Sequence, residues 1–279
     1  MKRFSGMYYK HQKGGNTVSF IAGTTAEHAF IQVITNKKSY YFKYPLPAAK
    51  QENGYRIGGN IFSERGVILD IRKGDILISG RIRYSALIPI KYGIMGPFKY
   101  LPMQCRHKIS SLYHRLDGKL NICGEELDLT GGVGYIEGDS GRSFPKSYAW
   151  IQCSDFPEKA CVTLSVADVP FMGMNFPGCI CVVYFRGAEY RLATYLGVKI
   201  IRCDEKRIVI EQGKLRLEIE LNAGVGHKLR APENGKMVRE IRECIVCGAR
   251  FKFIKSGNVL FDWYSENASF ECMKSPRKQ

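Results

Sequence analysis

Long apolar runs are missing from this sequence. Nowhere do the roughly 18 consecutive apolar residues needed to cross a bilayer as a helix occur. The opening residues, Met1-Lys2-Arg3-Phe4-Ser5-Gly6, run straight into polar and aromatic residues without the apolar centre of a secretion signal. A soluble, cytoplasmic protein is therefore expected, with contact at the periphery of a membrane left open. Persuasive amphipathic helices of twelve or more residues are also missing. No polar low-complexity tract occurs, so disorder is expected only at the ends. Acidic residues are scarce: 26 Asp and Glu against 42 Lys and Arg give a net charge of +16. Such a charge suits anionic partners, whether nucleic acid, phospholipid headgroups or acidic small molecules, and equally a solvated basic surface. The basic residues are spread out, with short concentrations only at Lys2-Arg3 and Arg277-Lys278. No RNP or KH pattern appears, so no specific nucleic acid is expected.

Cysteine is plentiful, with ten residues, but export signals are not, so the thiols read as reduced, mostly buried small hydrophobes. Cys244-Ile245-Val246-Cys247 is a single CxxC. A structural zinc site needs four ligands, and Cys179, Cys181 or Cys272 would have to complete it from a distance, so neither metal nor other cofactor is expected. A chain of 279 residues is long enough for one large domain or two of about 140.

What is present in quantity is alternation. Ile76, Ile78, Ile82 and Tyr84 share one face of a segment whose other face carries Ser79, Arg81 and Arg83, the period of two of a half-buried strand. Leu215, Leu217, Ile219 and Leu221 alternate in the same way with Lys214, Arg216, Glu218 and Glu220. Weaker versions run over Thr17 to Ile21, Ala29 to Thr35, Ser39 to Tyr44, Gly66 to Ile71, Cys179 to Phe185, Ile208 to Glu211 and Val259 to Trp263. Asp117-Gly118 reads as the tight turn of a hairpin joining Tyr113 to Leu116 with Lys119 to Ile122. Many short strands argue for an all-β fold of antiparallel sandwiches or barrels. Two segments interrupt the pattern. Tyr92 to Pro102, which contains Met95, mixes two prolines and two glycines with aromatics and reads as a loop packed over an opening. Gly131 to Gly141 is glycine-rich and leads into Ser143-Phe144-Pro145-Lys146 and an aromatic strand, Tyr148 to Gln152. A boundary between two halves, 1–143 and 144–279, fits there.

Gly138-Asp139-Ser140-Gly141 matches the letters around the nucleophile of trypsin-like proteases, and Thr24-Thr25-Ala26-Glu27-His28-Ala29 faintly matches their histidine segment. Arg142 stands where that pattern continues with glycine, and a triad is defined by geometry and roles rather than by four letters. Gly131-Gly132-Val133-Gly134 lacks the Gly-Lys-Ser/Thr of a P-loop and opens no helix. Both hydrolase and nucleotide readings therefore fail on the residues.

At full length, "GGVGYIEGDSGRSFPKSYAWIQC" resembles the central motif of the tocopherol cyclase family, GxGYxEKDWGRSFPxxWxWxQ. "FSGMYYK" (Phe4 to Lys10) is similar to that family's FxGWYFK opening. "FIQV" (Phe30 to Val33), "MGPFKYLPMQCRHKISSLYH" (Met95 to His114), "LSVADVPFMG" (Leu164 to Gly173), "ATYLG" (Ala193 to Gly197) and "LRAPENGKM" (Leu229 to Met237) continue the likeness in order. The resemblance implies two lipocalin-like halves, an arrangement shared with carotenoid hydratases and AttH-like proteins. It also implies proton-initiated ring closure of a prenyl hydroquinone: a proton goes to a trisubstituted alkene, and the phenol oxygen captures the resulting tertiary cation. A non-catalytic carrier of a hydrophobic ligand is the alternative. The chain departs from the family at Gly138-Asp139-Ser140, where Lys-Asp-Trp is usual, and at Met7, where tryptophan is usual.

The residues supply parts for that chemistry. If Tyr135 to Asp139 is extended, Tyr135, Glu137 and Asp139 share a face, with the carboxylates roughly 7 Å apart. Two acids in a partly dry pocket repel as anions, so one held protonated would serve as proton donor. Pairing of Glu137 and Asp139 with Arg142 or Lys146 at a turn is the plainer alternative. His107 and His114 are candidate bases or orienters of the acid. Seven residues apart, they fall on opposite faces of a strict strand, so both can line one pocket only across a bulge. Tyr8, Tyr148 and Trp150 could offer π-faces to a cation, although such aromatics are commonly core. Tyr135, Arg142 and Met95 complete the expected ligand-binding set.

Overall fold

Alternation of apolar and polar residues and the near absence of helical periodicity produce a chain whose described residues are 71% strand. The computed structural model describes residues 3–46, 49–51, 54–171, 174–222 and 224–273. Lys2, Arg277-Lys278 and the final Met172-Gly173 of the Leu164 to Gly173 block lie outside them. Two short 3-10 turns, Gly96–Tyr100 and Thr194–Leu196, are the helical elements among the described residues. No helix there is long and apolar enough to cross a membrane.

The first sheet contains β1 (Phe4–Lys13), β2 (Asn16–Thr24), β3 (Ala29–Thr35), β4 (Ser39–Tyr44), β5 (Ala49–Gln51), β6 (Gly54–Ile57), β7 (Asn60–Ser63), β8 (Gly66–Lys73), β9 (Ile76–Tyr84), β10 (Cys105–Ile122), β11 (Glu125–Asp128) and β12 (Val133–Gly141). Its order is β4-β3-β2-β1-β12-β10-β9-β8-β7-β6-β5, with β11 beside β10. The order is an open path, so the sheet is not a closed barrel; it curls over its own apolar face. Tyr9 on β1 and Phe62 on β7 are five strands apart in that order, yet their ring centroids lie 5.7 Å apart, and Phe20 on β2 is 6.1 Å from Phe62. Val18, Ile31, Val33, Ile57, Val67, Ile78 and Ile82 fill the space between, all fully buried.

The second sheet contains β13 (Tyr148–Cys153), β14 (Ala160–Phe171), β15 (Met174–Phe185), β16 (Ala188–Ala193), β17 (Lys199–Cys203), β18 (Arg207–Gln212), β19 (Leu215–Asn222), β20 (His227–Glu233), β21 (Lys236–Lys255) and β22 (Asn258–Met273). The order β16-β15-β14-β13-β22-β21-β19-β18-β17 is again open, with β20 beside β21. One side chain bridges β16 to β18: the Gln212 amide accepts from Ala193 N at 2.9 Å and donates to Arg191 O at 3.0 Å, as a ladder rung would. The interior is aromatic and thiol-rich. Phe261 stacks on Trp263 at 4.7 Å, Phe156 meets Phe251 edge-on at 5.2 Å, and Cys153, Cys161, Cys179, Cys181 and Cys247 are buried. All ten cysteines are thiols. Burial pushes the Cys179 thiol up to about 12, so it packs as a neutral small hydrophobe. Cys244 and Cys247 both lie on β21, with Sγ atoms toward the carbonyls of Val246 and Gly248.

The chain divides into two compact units, one for each sheet core. The first comprises Met1–Ile90, Arg106–Ser143 and Arg230–Arg239; the second comprises Lys91–Cys105, Phe144–Leu229 and Glu240–Gln279. The principal change-over is at Ser143 and Phe144, but the units are not the contiguous halves 1–143 and 144–279 that the sequence suggested. Residues 230–239 belong with the first because Gln32 holds Arg230 by two amide bonds, to N at 2.8 Å and O at 2.9 Å, and Ser143 Oγ accepts from Asn234 N at 2.8 Å.

The hairpin expected at Asp117-Gly118 does not form. β10 continues through it, with Gly118 paired to Ile82, and the chain reverses at Cys123-Gly124 instead, both at positive φ. Gly118 has φ +134°, and a Cβ there would collide with the carbonyl oxygen of Arg81. Glycine thus serves close approach within a curling sheet rather than a turn. Gly118→Ala should destabilise the first unit by about 2 kcal/mol or more from strain and collision, read as a lower urea midpoint with an unchanged m-value.

Candidate functional site

β1, β12 and β10 lie side by side in the first sheet, and period two gives each of them two faces. On one face β12 presents Tyr135, Glu137 and Asp139. β1 runs antiparallel beside it, so Gly6 lies opposite Asp139, Tyr8 opposite Glu137 and Lys10 opposite Tyr135. The face is polar yet buried: Tyr135 and Lys10 are 1% exposed and Glu137 5%. Tyr8 bonds Ser19 Oγ at 2.9 Å.

His107 of β10 joins the two carboxylates. Its Nε2 is 3.3 Å from Glu137 Oε2 and its Nδ1 is 3.0 Å from Asp139 Oδ1, while the Tyr135 hydroxyl donates to Glu137 Oε2 at 2.6 Å. Burial alone would push the imidazole's pKa down, but the charges and hydrogen bonds of Glu137 and Asp139 outweigh it and hold His107 well above the usual histidine range. An imidazolium thus stands between the carboxylates, meeting with a positive charge the repulsion expected of two bare acids. The side chain of Asp139 is 25% exposed, against 13% for His107 and 7% for Glu137, so Asp139 is the outward member. One donor atom from each of the three lies within 4.8 Å of the others, a spacing that fits one divalent cation in place of the imidazolium proton.

The opposite face of the same strands is a different environment. His11 of β1 bonds the Tyr84 hydroxyl through Nε2 at 2.6 Å, and the Tyr84 ring lies 4.3 Å from that of His114. His114 Nδ1 bonds Ser111 Oγ at 2.9 Å, and its Nε2 packs against Gly134, where no Cβ would fit. Burial pushes His11 down to about 4, and burial with the neighbouring His11 pushes His114 down to about 3. Both are neutral over the physiological range. His107 and His114 therefore obey strict alternation: the structure assembles His107 with Glu137, Asp139 and Tyr135, and puts His114 in the core.

The other expected residues divide between the two units. Arg142 has an exposed side chain, and its carbonyl accepts from Gly235 N at 2.6 Å. Tyr148 and Trp150 on β13, and Met95 ahead of the 3-10 turn Gly96–Tyr100, belong to the second unit; Tyr148 meets Phe144 edge-on at 6.0 Å. His28 bonds Tyr41 and Thr25, and Ser140 sits within β12 opposite Ser5, so neither forms a protease constellation with the other. Met7 packs its sulfur over Gly138 on the core face, the face that Ser140 shares through its pairing with Ser5. Sequence reading missed Lys10, His11 and Tyr84, though alternation along Phe4 to Lys13 already places Lys10 with Tyr8 and His11 with Tyr9.

No protein-family model matches the sequence, and no curated protein matches it either. Solved structures do. An AttH-like protein of Nitrosomonas europaea aligns at 10% identity and TM-score 0.55 over 97% of this chain and 91% of its own. CghA aligns at 8% identity and TM-score 0.63 over 98% of this chain and 89% of its own. Kievitone hydratase of Nectria haematococca aligns at 12% identity and TM-score 0.54 over 98% and 89%. What is shared is the fold, two antiparallel lipocalin-like β units.

The two histidine environments give opposite pH slopes. A raised His107 stabilises the fold fully below pH 6.5, and its contribution is lost as pH rises through the folded value. Lowered His11 and His114 act inversely, since the unfolded chain binds their protons first, and stability falls as pH drops from 6.5 toward 4 and then 3. Urea midpoints across pH should show both limbs. His107→Gln should remove the alkaline limb, and His11→Gln with His114→Gln should flatten the acid one.

Proposed function

We propose that the chain is a proton-transfer enzyme acting on an apolar, unsaturated small molecule, with ring closure of a prenyl hydroquinone as its reaction. The observation that carries this reading is the buried Tyr135–Glu137–His107–Asp139 chain, whose one partly exposed end is Asp139. The proton in the His107–Asp139 hydrogen bond passes through Asp139 to the alkene, leaving a tertiary carbocation beside two carboxylates whose countercharge has just departed. That charge is placed where positive charge develops, which lowers the barrier to the cation. The phenol oxygen then bonds to the cationic carbon, and its proton returns to Asp139 and His107. Substrate and product are isomers, and no proton is consumed. Glu137, fixed by the Tyr135 hydroxyl and opposite Tyr8, positions the imidazole.

The sequence resemblance supports the same assignment, since Tyr135, Glu137, Asp139 and Arg142 to Pro145 match the motif. Its departures at Met7, Gly138 and Ser140 fall on the core face, opposite that of His107. Water in place of the phenol oxygen would make the same first step a hydration, a reading favoured by the kievitone hydratase likeness.

The test is turnover of a prenyl hydroquinone in D2O, with chromanol formation and one deuterium at the former alkene carbon as the expected result. Asp139→Asn should lower the rate by about 10²–10⁴ and leave the binding constant unchanged. A tertiary alcohol as product would select the hydratase. Binding without turnover in the unsubstituted protein would mark a carrier and sink the enzyme reading.

A further inference from the structure

The aromatic segment from Tyr92 to Pro102 belongs to the second unit, which holds it firmly. Arg191 and Glu189, whose side chains are 5% and 6% exposed, form an ion pair at 2.8 Å. Glu189 accepts from Lys91 N at 2.8 Å, and Arg191 donates to the carbonyls of Tyr92 at 2.7 Å and Gly93 at 3.0 Å. The Tyr195 hydroxyl, itself bonded by Arg191, donates to Ile94 O at 2.9 Å. Gly96, at φ +51°, lies against the Tyr195 ring with no room for a Cβ, and Phe98 meets the same ring edge-on at 5.6 Å. A buried charge pair that holds three consecutive backbone groups of one loop, at Lys91, Tyr92 and Gly93, fixes that loop in place.

What the loop displays outward is apolar and cationic. Tyr100 is 79% exposed, Tyr92 51% and Leu196, in the adjoining turn, 43%. Lys99 lies over the Tyr100 ring at 4.8 Å, and Arg191 over the Tyr92 ring at 3.6 Å. Residues 91–105 and 194–199 contain Lys91, Lys99 and Lys199 and no Asp or Glu. Exposed tyrosine and leucine flanked by lysine without acidic residues match the interface of a bilayer. Amphipathic rings rest there at headgroup level, lysine stems cover apolar surface, and their ammonium groups meet anionic headgroups. A patch already ordered gives up little conformational freedom on docking.

We propose that this pinned loop, with Tyr92, Tyr100 and Leu196 as apolar contacts and Lys91 and Lys99 as cations, docks the protein on anionic lipid bilayers. The docking residues belong to the second unit and the acid residues to the first, and turnover of detergent-dispersed substrate tests only the latter.

Co-sedimentation of the full chain with vesicles of phosphatidylcholine, alone or mixed with phosphatidylglycerol, tests the proposal. Binding should require the anionic lipid. Lys91→Gln with Lys99→Gln should weaken it roughly thirtyfold at low salt, and Tyr100→Ser should weaken it further. These side chains are exposed, so thermal unfolding should be unchanged. Tyr100→Trp should show a blue-shifted emission on anionic vesicles. No vesicle binding, equal binding to neutral and anionic vesicles, or binding untouched by these substitutions would overturn the proposal; so would a basic surface that retains only nucleic acid.

Discussion

A β-strand sends successive side chains to opposite faces, and three neighbouring strands of the first unit turn that constraint into two separate chemistries. β1, β12 and β10 carry Tyr8 and Lys10, Tyr135, Glu137 and Asp139, and His107 on one face. On the other they carry His11, Gly134 and His114. The curl of the sheet makes the second face an apolar interior, so only the first can hold a charged network. A slip of one residue in any of these registers would exchange the two environments.

The histidines show what those environments do. His107 and His114 are seven residues apart on one strand, and burial disfavours the charged form of each. For His107 two carboxylates within 3.3 Å reverse the outcome, whereas His114 meets Ser111, Tyr84 and the backbone of Gly134 and stays neutral. Burial, helped by the neighbouring His11, decides His114, whereas countercharge overrides burial at His107. The buried Arg191–Glu189 pair of the second unit follows the same logic, with the difference that Arg191 also donates to the loop carbonyls of Tyr92 and Gly93 and to the Tyr195 hydroxyl.

Glycine placement connects sequence to curvature. Gly118 sits in a sheet interior because Arg81 O approaches too closely for a side chain, and Gly134 and Gly138 make room for His114 and Met7. Dipeptide rules read Asp117-Gly118 as a turn because they register glycine's backbone freedom and not its lack of a Cβ, which is the property used here.

The sequence by itself determined the strands and their faces. Ala29–Thr35 and Ser39–Tyr44 form where alternation put them, and Tyr135, Glu137 and Asp139 share a face for the same reason. Period two is a local property, readable wherever a strand is half-buried. The tertiary structure alone decided which strands are neighbours. That β10 lies against β12, bringing His107 to acids some thirty residues away, depends on register across a curled sheet. That residues 230–239 join the first unit and residues 91–105 the second depends on single side chains, Gln32 and Arg191, whose partners no local pattern announces. Long-range pairing is fixed by the summed complementarity of whole surfaces, and that sum is not written in any one segment.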